Sequence, residues 1–240
     1  MTDKRSKFGF LVLFGLAITG VVILVLLGNW QMARKAWKAD LIQRIETRLA
    51  LPAVPFEMAL REFQAPALEY RPVLLEGRFL HNEERHYFLP LGSQVGWHVL
   101  TPFELKSGGV VFVDRGFVPE RFKEQNTRLN GVPQGRVILE GIVRLFETKG
   151  SFTPDNQISR NQWYWRDGAG LYQSLPDFKG ERFPVMVDAR ASAQFGAWPK
   201  AGVTRVKFQD KHLGYALTWY GLALTLVGVF CAFVYSRMKR

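Results

Sequence analysis

Two long segments without a charged side chain lie at opposite ends of this sequence, at residues 8–33 and 213–236. An α-helix rises about 1.5 Å per residue, so about 20 residues cross a hydrocarbon layer roughly 30 Å thick. Both segments are long enough to do so. We therefore predict transmembrane helices over residues 8–30 and 213–235, and we expect the first to continue as a helix to about residue 49.

A cleaved signal peptide is the alternative for the first segment. Its uncharged stretch is longer than the apolar region of about 7–15 residues that such peptides carry. No Ala-x-Ala-like cleavage site follows it, because the next residues read GNWQMARKAWK. We therefore expect a retained membrane anchor.

The orientation in the membrane follows from the charge of the two tails. Short basic tails favour the cytoplasmic side of a membrane. A further basic cluster at residues 34–38 belongs to a long connecting domain, where this rule loses force. We expect both termini in the cytoplasm and residues of about 30–211 outside it. Only seven residues precede the first span, which leaves no room for an organelle transit peptide, so a bacterial inner membrane is predicted. The basic residues of the tails are Lys4, Arg5, Lys7, Arg237, Lys239 and Arg240.

Cysteine and methionine usage limits the function. The single cysteine, Cys231, lies in the second span, so the connecting domain has no disulfide and no thiolate. Its methionines are scattered, whereas copper delivery needs clustered soft ligands. The net charge is +11, but the sequence contains no Lys/Arg stripe and no nucleic-acid-binding motif. We therefore expect a lipid bilayer, and no nucleic acid, as a partner.

The connecting domain, residues 52–210, is predicted to be β-rich. Pro52 and Pro55 end the first helix, and PFEMALREF is predicted as a short helix. Apolar residues then alternate in short runs between turn residues, which is typical of strands. About seven such runs predict one antiparallel sandwich or barrel, with PERFKEQNTR as a helical or loop excursion. The runs are RPVLLEGRFL, RHYFLPL, WHVLTPFEL, GVVFVDRGFV, GRVILEGIVRL, FPVMVDA and VTRVKF.

The sequence carries no recognisable catalytic constellation. HExxH, CxxC, GxSxG and phosphate-binding glycine loops do not occur in it. His81 and His86 flank the sequence NEER, which is predicted as a turn between strands. The simpler interpretation is that both histidines are solvated turn residues, and the alternative is that they bind a metal ion. His98 alternates with apolar residues along a strand and is interpreted as a half-buried structural side chain. The enzyme hypothesis would use His98 with Asp114 or Asp167.

The segment SFTPDNQISRNQWYWRD is the most unusual part of the connecting domain. Its polar turn residues predict a loop that the aromatic residues close. The simpler interpretation is an aromatic plug beneath this loop. The alternative is a partner-binding surface formed by Trp163, Trp165 and Arg166, because aromatic residues and arginine are common interface anchors.

The start of the second span combines polar and aromatic residues on one helix face. His212, Tyr215 and Trp219 follow each other at helical spacing, and Trp30 and Arg34 lie at the end of the first span. If the two helices pack together, an imidazole, a guanidinium and several aromatic rings meet at one membrane depth. Haem needs a histidine ligand, apolar walls and basic partners for its propionates. An ordinary aromatic belt at the membrane interface is the alternative.

Several segments in order resemble the Surfeit locus protein 1 family of cytochrome c oxidase assembly factors. They are GNWQMARKAWK, YRPVLLEGRF, GWHVLTPFEL, GVVFVDRGFVP, GIVRLFETKGSFTPDNQISRNQWYWRD, PVMVD and HLGYALTWYGLAL. The resemblance runs nearly end to end. It implies two membrane helices that enclose a domain on the periplasmic or intermembrane-space side.

The resemblance also implies a non-enzymatic role. Members of the family are implicated in delivering haem a to the catalytic subunit of the oxidase, and the expected partners are that subunit and the haem a synthesis machinery. The family's proposed haem ligand corresponds to His212. Tyr215, Trp219, Arg34 and Trp30 are the expected haem neighbours, and the haem iron is the only metal expected. Many members have Asn two residues before this histidine, where this chain has Asp210.

Overall fold

A computed structural model describes residues 2–175, 178–191, 198–202 and 211–239 of the chain. The chain divides into two units. One contains Met1–Arg44 and Val206–Arg240, and the other contains Ile45–Arg205. Each unit is described by itself below.

The first unit consists of two antiparallel helices, α1 (Thr2–Leu49, of which Ile45–Leu49 belong to the second unit) and α5 (His212–Met238). Both are long and apolar enough to cross a membrane. The rings of Phe10 and Phe14 contact Phe230, near the start of α1 and the end of α5. At the other end of the pair, the Cβ that a larger residue would place at Gly28 lies 2.4 Å from Cε1 of Tyr220. Glycine at this position therefore lets the two helices approach each other closely.

The second unit is a β-rich domain. Its helices are short because prolines and turn residues interrupt every helical stretch. Two 3-10 turns, Glu120–Phe122 and Gln125–Thr127, occupy the segment predicted as a helical or loop excursion, and a third, Leu129–Gly131, directly follows it. Its helices are α2 (Phe56–Glu62), α3 (Ala65–Leu68) and α4 (Gly168–Gln173). Its described strands are β1 (Val54–Pro55), β2 (Pro72–Phe79), β3 (Arg85–Phe88), β4 (Gly96–Leu105), β5 (Val110–Pro119), β6 (Val137–Leu145), β7 (Gln162–Trp163) and β8 (Arg182–Ala189).

Five of these strands close into a barrel in the order β2-β6-β8-β5-β4, with β4 pairing back to β2. The pair β5–β8 is parallel, and the other four pairs of the barrel are antiparallel. The predicted barrel is therefore confirmed, but a purely antiparallel arrangement is wrong. This connectivity resembles that of the five-stranded Greek-key barrels called OB folds.

Six of the seven predicted strand runs form strands, and the seventh, residues 203–208, lies outside the described residues. The two-residue strands β1 and β7 were not predicted. Both pair in parallel, β1 with β2 and β7 with β3. A strand of two residues has no alternation that a sequence could reveal.

The barrel has a buried outer face as well as a buried interior. Side chains that alternate along the strands, among them Phe103, Val113 and Val187, fill the interior. On the outer face a second cluster includes Phe112 and Met186 from the barrel, together with Trp163 of β7. Strand β3 and the segment 162–173, which carries β7 and α4 and is called the covering segment below, therefore cover part of the barrel wall. This explains why β4 and β5 are buried on both faces.

Candidate functional site

Helix α5 begins at His212, the residue predicted as a haem ligand. The preceding residue, Lys211, has non-helical backbone angles and provides no side-chain cap, although its carbonyl accepts the first helical bond from Tyr215. His212 is half-buried. The helix thus presents an imidazole at its first turn, directly before its long apolar stretch.

Two hydrogen bonds join α1 and α5 near this point. Nδ1 of His212 lies 2.8 Å from the side-chain oxygen of Gln31. Two turns further along α5, the hydroxyl of Tyr220 donates to the side-chain oxygen of Asn29 at 2.8 Å. Together with the close approach at Gly28, these bonds fix the register of the two helices where both become polar.

The remaining residues predicted for this site lie around the helix pair rather than inside it. Trp219 is half-buried and shares the His212 face of α5, whereas Tyr215 is 57% exposed. On α1, Trp30 is 55% exposed, and the guanidinium of Arg34 lies 4.6 Å from the ring centre of Trp37. Helical periodicity places these α1 residues on a different face from Gln31. The structure therefore brings Gln31, which was not predicted, to His212. The assignment of all these residues to a haem stays a prediction.

The second unit contains a buried network of charged side chains on the outer face of the barrel. Nδ1 of His98 on β4 lies 2.9 Å from Oδ2 of Asp114 on β5. Nη2 of Arg166 donates to the same oxygen at 2.9 Å and lies 3.2 Å from Oδ1 of Asp188 on β8. Arg144 on β6 continues the network, with ion pairs to Asp188 and Glu69 at 3.2 and 2.9 Å. The network thus joins four neighbouring strands to the covering segment.

The electrostatics of this network keep Asp114 and Arg166 charged. Burial alone would raise the pKa of Asp114, but the charge and hydrogen bond of His98, the charge of Arg166 and the N–H of Gly116 lower it to about 2. Burial opposes the charge of Arg166, yet Asp188 and Asp114 raise its pKa above the ordinary value. A buried charge is stable only when it is paired in this way.

The burial of His98 and Asp114 argues against the hypothesis that they form a catalytic pair. His98 and Asp114 do form a pair, but only 3% and 2% of their surfaces are exposed, and Arg166 occupies the other side of the carboxylate. His98 was predicted to be half-buried, which is wrong, because the rings of Tyr87 on β3 and Phe117 on β5 pack against it. Asp167 does not join the pair: its side chain caps α4 by accepting the N–H of Gly170 at 3.0 Å.

A second buried ionic cluster holds the loop between β2 and β3. Arg115 and Arg128 both form ion pairs with Glu84. Burial would raise the pKa of Glu84, but hydrogen bonds from His81 and Arg128 and the charges of Arg128 and Arg115 lower it to about 2. This cluster attaches the 3-10 turns of residues 120–131 to the barrel.

The histidines at this loop are structural. Nε2 of His81 lies 2.8 Å from the carbonyl oxygen of Pro133. His86 is buried on β3, so its interpretation as a solvated turn residue is wrong, and burial followed by the charge of Lys123 lowers its pKa. Among the described residues, no three His, Cys, Asp or Glu side chains form a group that could hold a metal ion.

The aromatic residues of the loop 151–167 form the predicted plug. Trp163 is fully buried against the outer barrel wall, and Arg166 is buried in its ion pairs with Asp114 and Asp188. Trp165 is half-buried. A partner contact by these three residues stays a prediction, but in this conformation Trp163 and Arg166 contact their own barrel.

Comparison with known proteins assigns a family. A profile of the SURF1 family matches residues 18–224. Surfeit locus protein 1 of Xenopus tropicalis is 35% identical over 223 residues, which cover 85% of this chain and 70% of that protein. Surfeit locus protein 1 of Homo sapiens is 36% identical over 215 residues, with coverage of 82% and 69%. A SURF1-like protein of Monosiga brevicollis is 36% identical over 219 residues, with coverage of 83% and 79%. The matched region extends from within α1 to within α5 and includes the whole barrel.

Proposed function

This chain belongs to the SURF1 family, and we propose from that membership that it is an assembly factor for cytochrome c oxidase. The observation that carries the proposal is the match over residues 18–224, which takes in parts of both terminal helices as well as the barrel. We further propose that the protein assists the insertion of haem a into the catalytic subunit.

The proposed location is the inner membrane of a bacterium. Two helices that are long and apolar enough to cross a bilayer support it, as do the three basic residues in each terminal tail. In this arrangement both termini are cytoplasmic, and the barrel lies in the periplasm. A cytoplasm-active reporter such as a green fluorescent protein, fused after Arg240, should fluoresce. A dark fusion at normal abundance would contradict this orientation.

Haem a is proposed as the cargo, with His212 as the iron ligand. The donor set at the start of α5 fits this group, because a half-buried imidazole precedes an apolar helix face that includes Trp219. The only cysteine, Cys231, lies 19 residues further along the same helix, about 28 Å away from His212 by helical rise, so its thiol does not belong to this donor set. Arg34 carries an exposed guanidinium that could pair with a propionate. When bound, haem a would supply an iron ion for coordination by an imidazole nitrogen of His212.

Deletion of the gene, together with any second copy, tests the assembly role. The deletion strain should have less haem a and less oxidase activity per unit of membrane protein, while succinate dehydrogenase persists as the internal control. The wild-type gene should restore both quantities. Normal haem a and normal oxidase activity in the deletion strain would contradict the proposal.

The haem assignment has its own test, the absorption spectrum of protein purified from cells that make haem a. His212→Ala should abolish or shift the Soret band without lowering the amount of protein in the membrane. Arg34→Ala should weaken haem retention less. An unchanged spectrum in His212→Ala would contradict the ligand assignment but would leave the assembly role open to protein contacts alone.

A further inference from the structure

We propose that Gln31 is a positioning residue for His212, which fixes the ring proton on Nδ1 and thereby places the lone pair that would coordinate iron on Nε2. The inference rests on the proposed function for its consequence, since it matters only if His212 coordinates haem iron. Its structural content, the tautomer of one histidine, stands independently of any ligand.

The tautomer follows from the chemistry of the partner. The atom 2.8 Å from Nδ1 of His212 is the side-chain carbonyl oxygen of Gln31. An amide oxygen has lone pairs and no proton, so it can only accept a hydrogen bond. The imidazole must therefore carry a proton on Nδ1, and in a neutral ring the lone pair is then on Nε2. In water the opposite tautomer of histidine is the more populated one, so the protein selects the minor form.

The position of Gln31 is itself fixed by neighbouring contacts. Gln31 lies one turn beyond Gly28, where Tyr220 packs directly against the α1 backbone. The bond from Tyr220 to Asn29 holds the same stretch of α1 from a second direction. Three contacts within four residues of α1 therefore determine where the Gln31 oxygen meets α5. The imidazole of His212 is thus oriented by the helix pair and not only by its own rotamer preference.

The choice of an amide rather than a carboxylate has a chemical consequence. Metal-bound histidines commonly donate their second N–H to a carboxylate, a carbonyl or water, and this partner sets the orientation and the basicity of the ring. A carboxylate pulls the proton more strongly and makes the ring a stronger electron donor. The neutral Gln31 oxygen orients the ring with less of this effect, which suits a ligand that must later release its haem.

The tautomer can be measured on the full-length, haem-free protein with ¹⁵N-labelled histidine. The chain has four histidines, and the His212→Gln spectrum identifies the resonances of His212 by difference. In the neutral ring of the wild type, the proton should be on Nδ1. Gln31→Leu should change the ring to the form protonated on Nε2. The control is Thr218→Val, which removes a hydrogen bond within α5 to the carbonyl oxygen of Gly214 and should leave the His212 tautomer unchanged.

A wild-type ring protonated on Nε2, or an unchanged tautomer in Gln31→Leu, would overturn the inference. If both Gln31→Leu and Thr218→Val altered the tautomer, the general packing of α5 rather than Gln31 would set it, and this too would contradict a specific positioning role.

Titration with haem a then tests the consequence. Gln31→Leu should weaken binding about tenfold or more, the usual cost of losing such a partner. Gln31→Glu should bind haem and lower the reduction potential of the iron, because the stronger acceptor makes the imidazole a better donor. Equal affinities and potentials in all three proteins would overturn the positioning role. A wild-type protein that has the expected tautomer but binds no haem would contradict the proposed cargo and leave the tautomer result standing.

Discussion

Asp114 and Asp188 lie directly opposite each other on the parallel strand pair β5–β8, and one guanidinium, that of Arg166, contacts both carboxylates. Two acids at facing positions of neighbouring strands would repel each other in a buried environment. Their pairing is tolerated because the covering segment supplies a cation between them. The chain region that carries Arg166 is therefore held against the barrel by electrostatic attraction as well as by the packing of Trp163.

Replacing the central cation should destabilise the second unit strongly. Arg166→Met leaves two buried carboxylates without their shared partner, and breaking a buried pair in this way typically costs about 3–5 kcal/mol. Chemical unfolding of the purified protein, followed by tryptophan fluorescence, measures the effect. Lys106→Met is the matched control, because it removes an exposed ion pair with Glu76 and should cost about 1 kcal/mol or less. Equal losses in the two variants would refute the role of Arg166.

The stability of the second unit should decrease at acid pH. In the folded protein the pKa of Glu84 is about 2, against an ordinary value of 4.5, and that of Asp114 is about 2, against 3.8. A lowered pKa in the folded state contributes stability above the unfolded value, and this stability is lost as the pH falls through the folded value. The free energy of unfolding should therefore fall between about pH 5 and pH 2.

Glu84→Gln separates this effect from general acid denaturation. The variant should be less stable than wild type at pH 7, and its stability should depend less on pH below 5. Glu140→Gln, which removes an exposed carboxylate paired with Arg190, serves as the control and should keep the wild-type slope. A wild-type slope in Glu84→Gln would be incompatible with the lowered pKa of Glu84.

Gly77 is required where the barrel closes. The Cβ of an alanine at this position would lie 2.1 Å from the carbonyl oxygen of Glu104 and 2.7 Å from the ring of Phe103. Backbone cannot move aside as a flexible side chain can, so Gly77→Ala should cost about 1–3 kcal/mol by overpacking, and Gly77→Glu should cost more. Thermal unfolding measures both. Ile138→Ala, at an exposed position of the neighbouring strand β6, should be nearly neutral, and a Gly77→Ala protein as stable as that control would contradict the close contact.

Gly28 has the corresponding role in the helix pair. A leucine at this position would collide with the Tyr220 ring and separate α1 from α5. The separation can be followed in membranes by the yield of crosslinking between cysteines placed at Phe14 and Phe230, whose rings are 5.7 Å apart, in a Cys231→Ser background. Gly28→Leu should reduce the yield several-fold. Gly221→Leu, where no atom lies within 4 Å of the added Cβ, should not change it.

The strands of the barrel could be predicted from sequence because each is a run rich in β-branched or aromatic residues between turn residues. Strand β2 also shows a regular alternation of buried and exposed residues. The parallel pair β5–β8 could not be predicted in this way. The relative direction of β5 and β8 depends on the path of the roughly 60 residues between them, and no local sequence pattern indicates that path. Asp114 and Asp188 each follow an apolar run, VVFV and VMV, which is a sign that a charge is buried within a strand. Their common partner is far away in sequence, so only the fold reveals it.

Only part of the candidate site at α5 could be predicted, because the sequence does not show which helix faces meet. His212 stands out because a titratable side chain directly before an apolar run is unusual. Helical spacing then groups residues on each helix separately, but it does not state which faces of α1 and α5 meet. Trp30 and Arg34 were selected by residue type. The close contact between the helices lies instead at Gly28, whose small size lets Tyr220 approach, and Gln31, one turn further along α1, therefore lies next to His212.

The closure of the barrel also decides how the second unit can meet other polypeptides. The described sheet ends in two strands of two residues each, β1 and β7, and β1 contains Pro55, which has no N–H to donate. An extended segment of another chain therefore finds almost no free backbone with which to continue the sheet. In the proposed role as an assembly factor, an open sheet edge would carry the risk of capturing incompletely folded chains by strand addition. If this unit recognises a partner in that role, side chains and loop surfaces would have to provide the contacts.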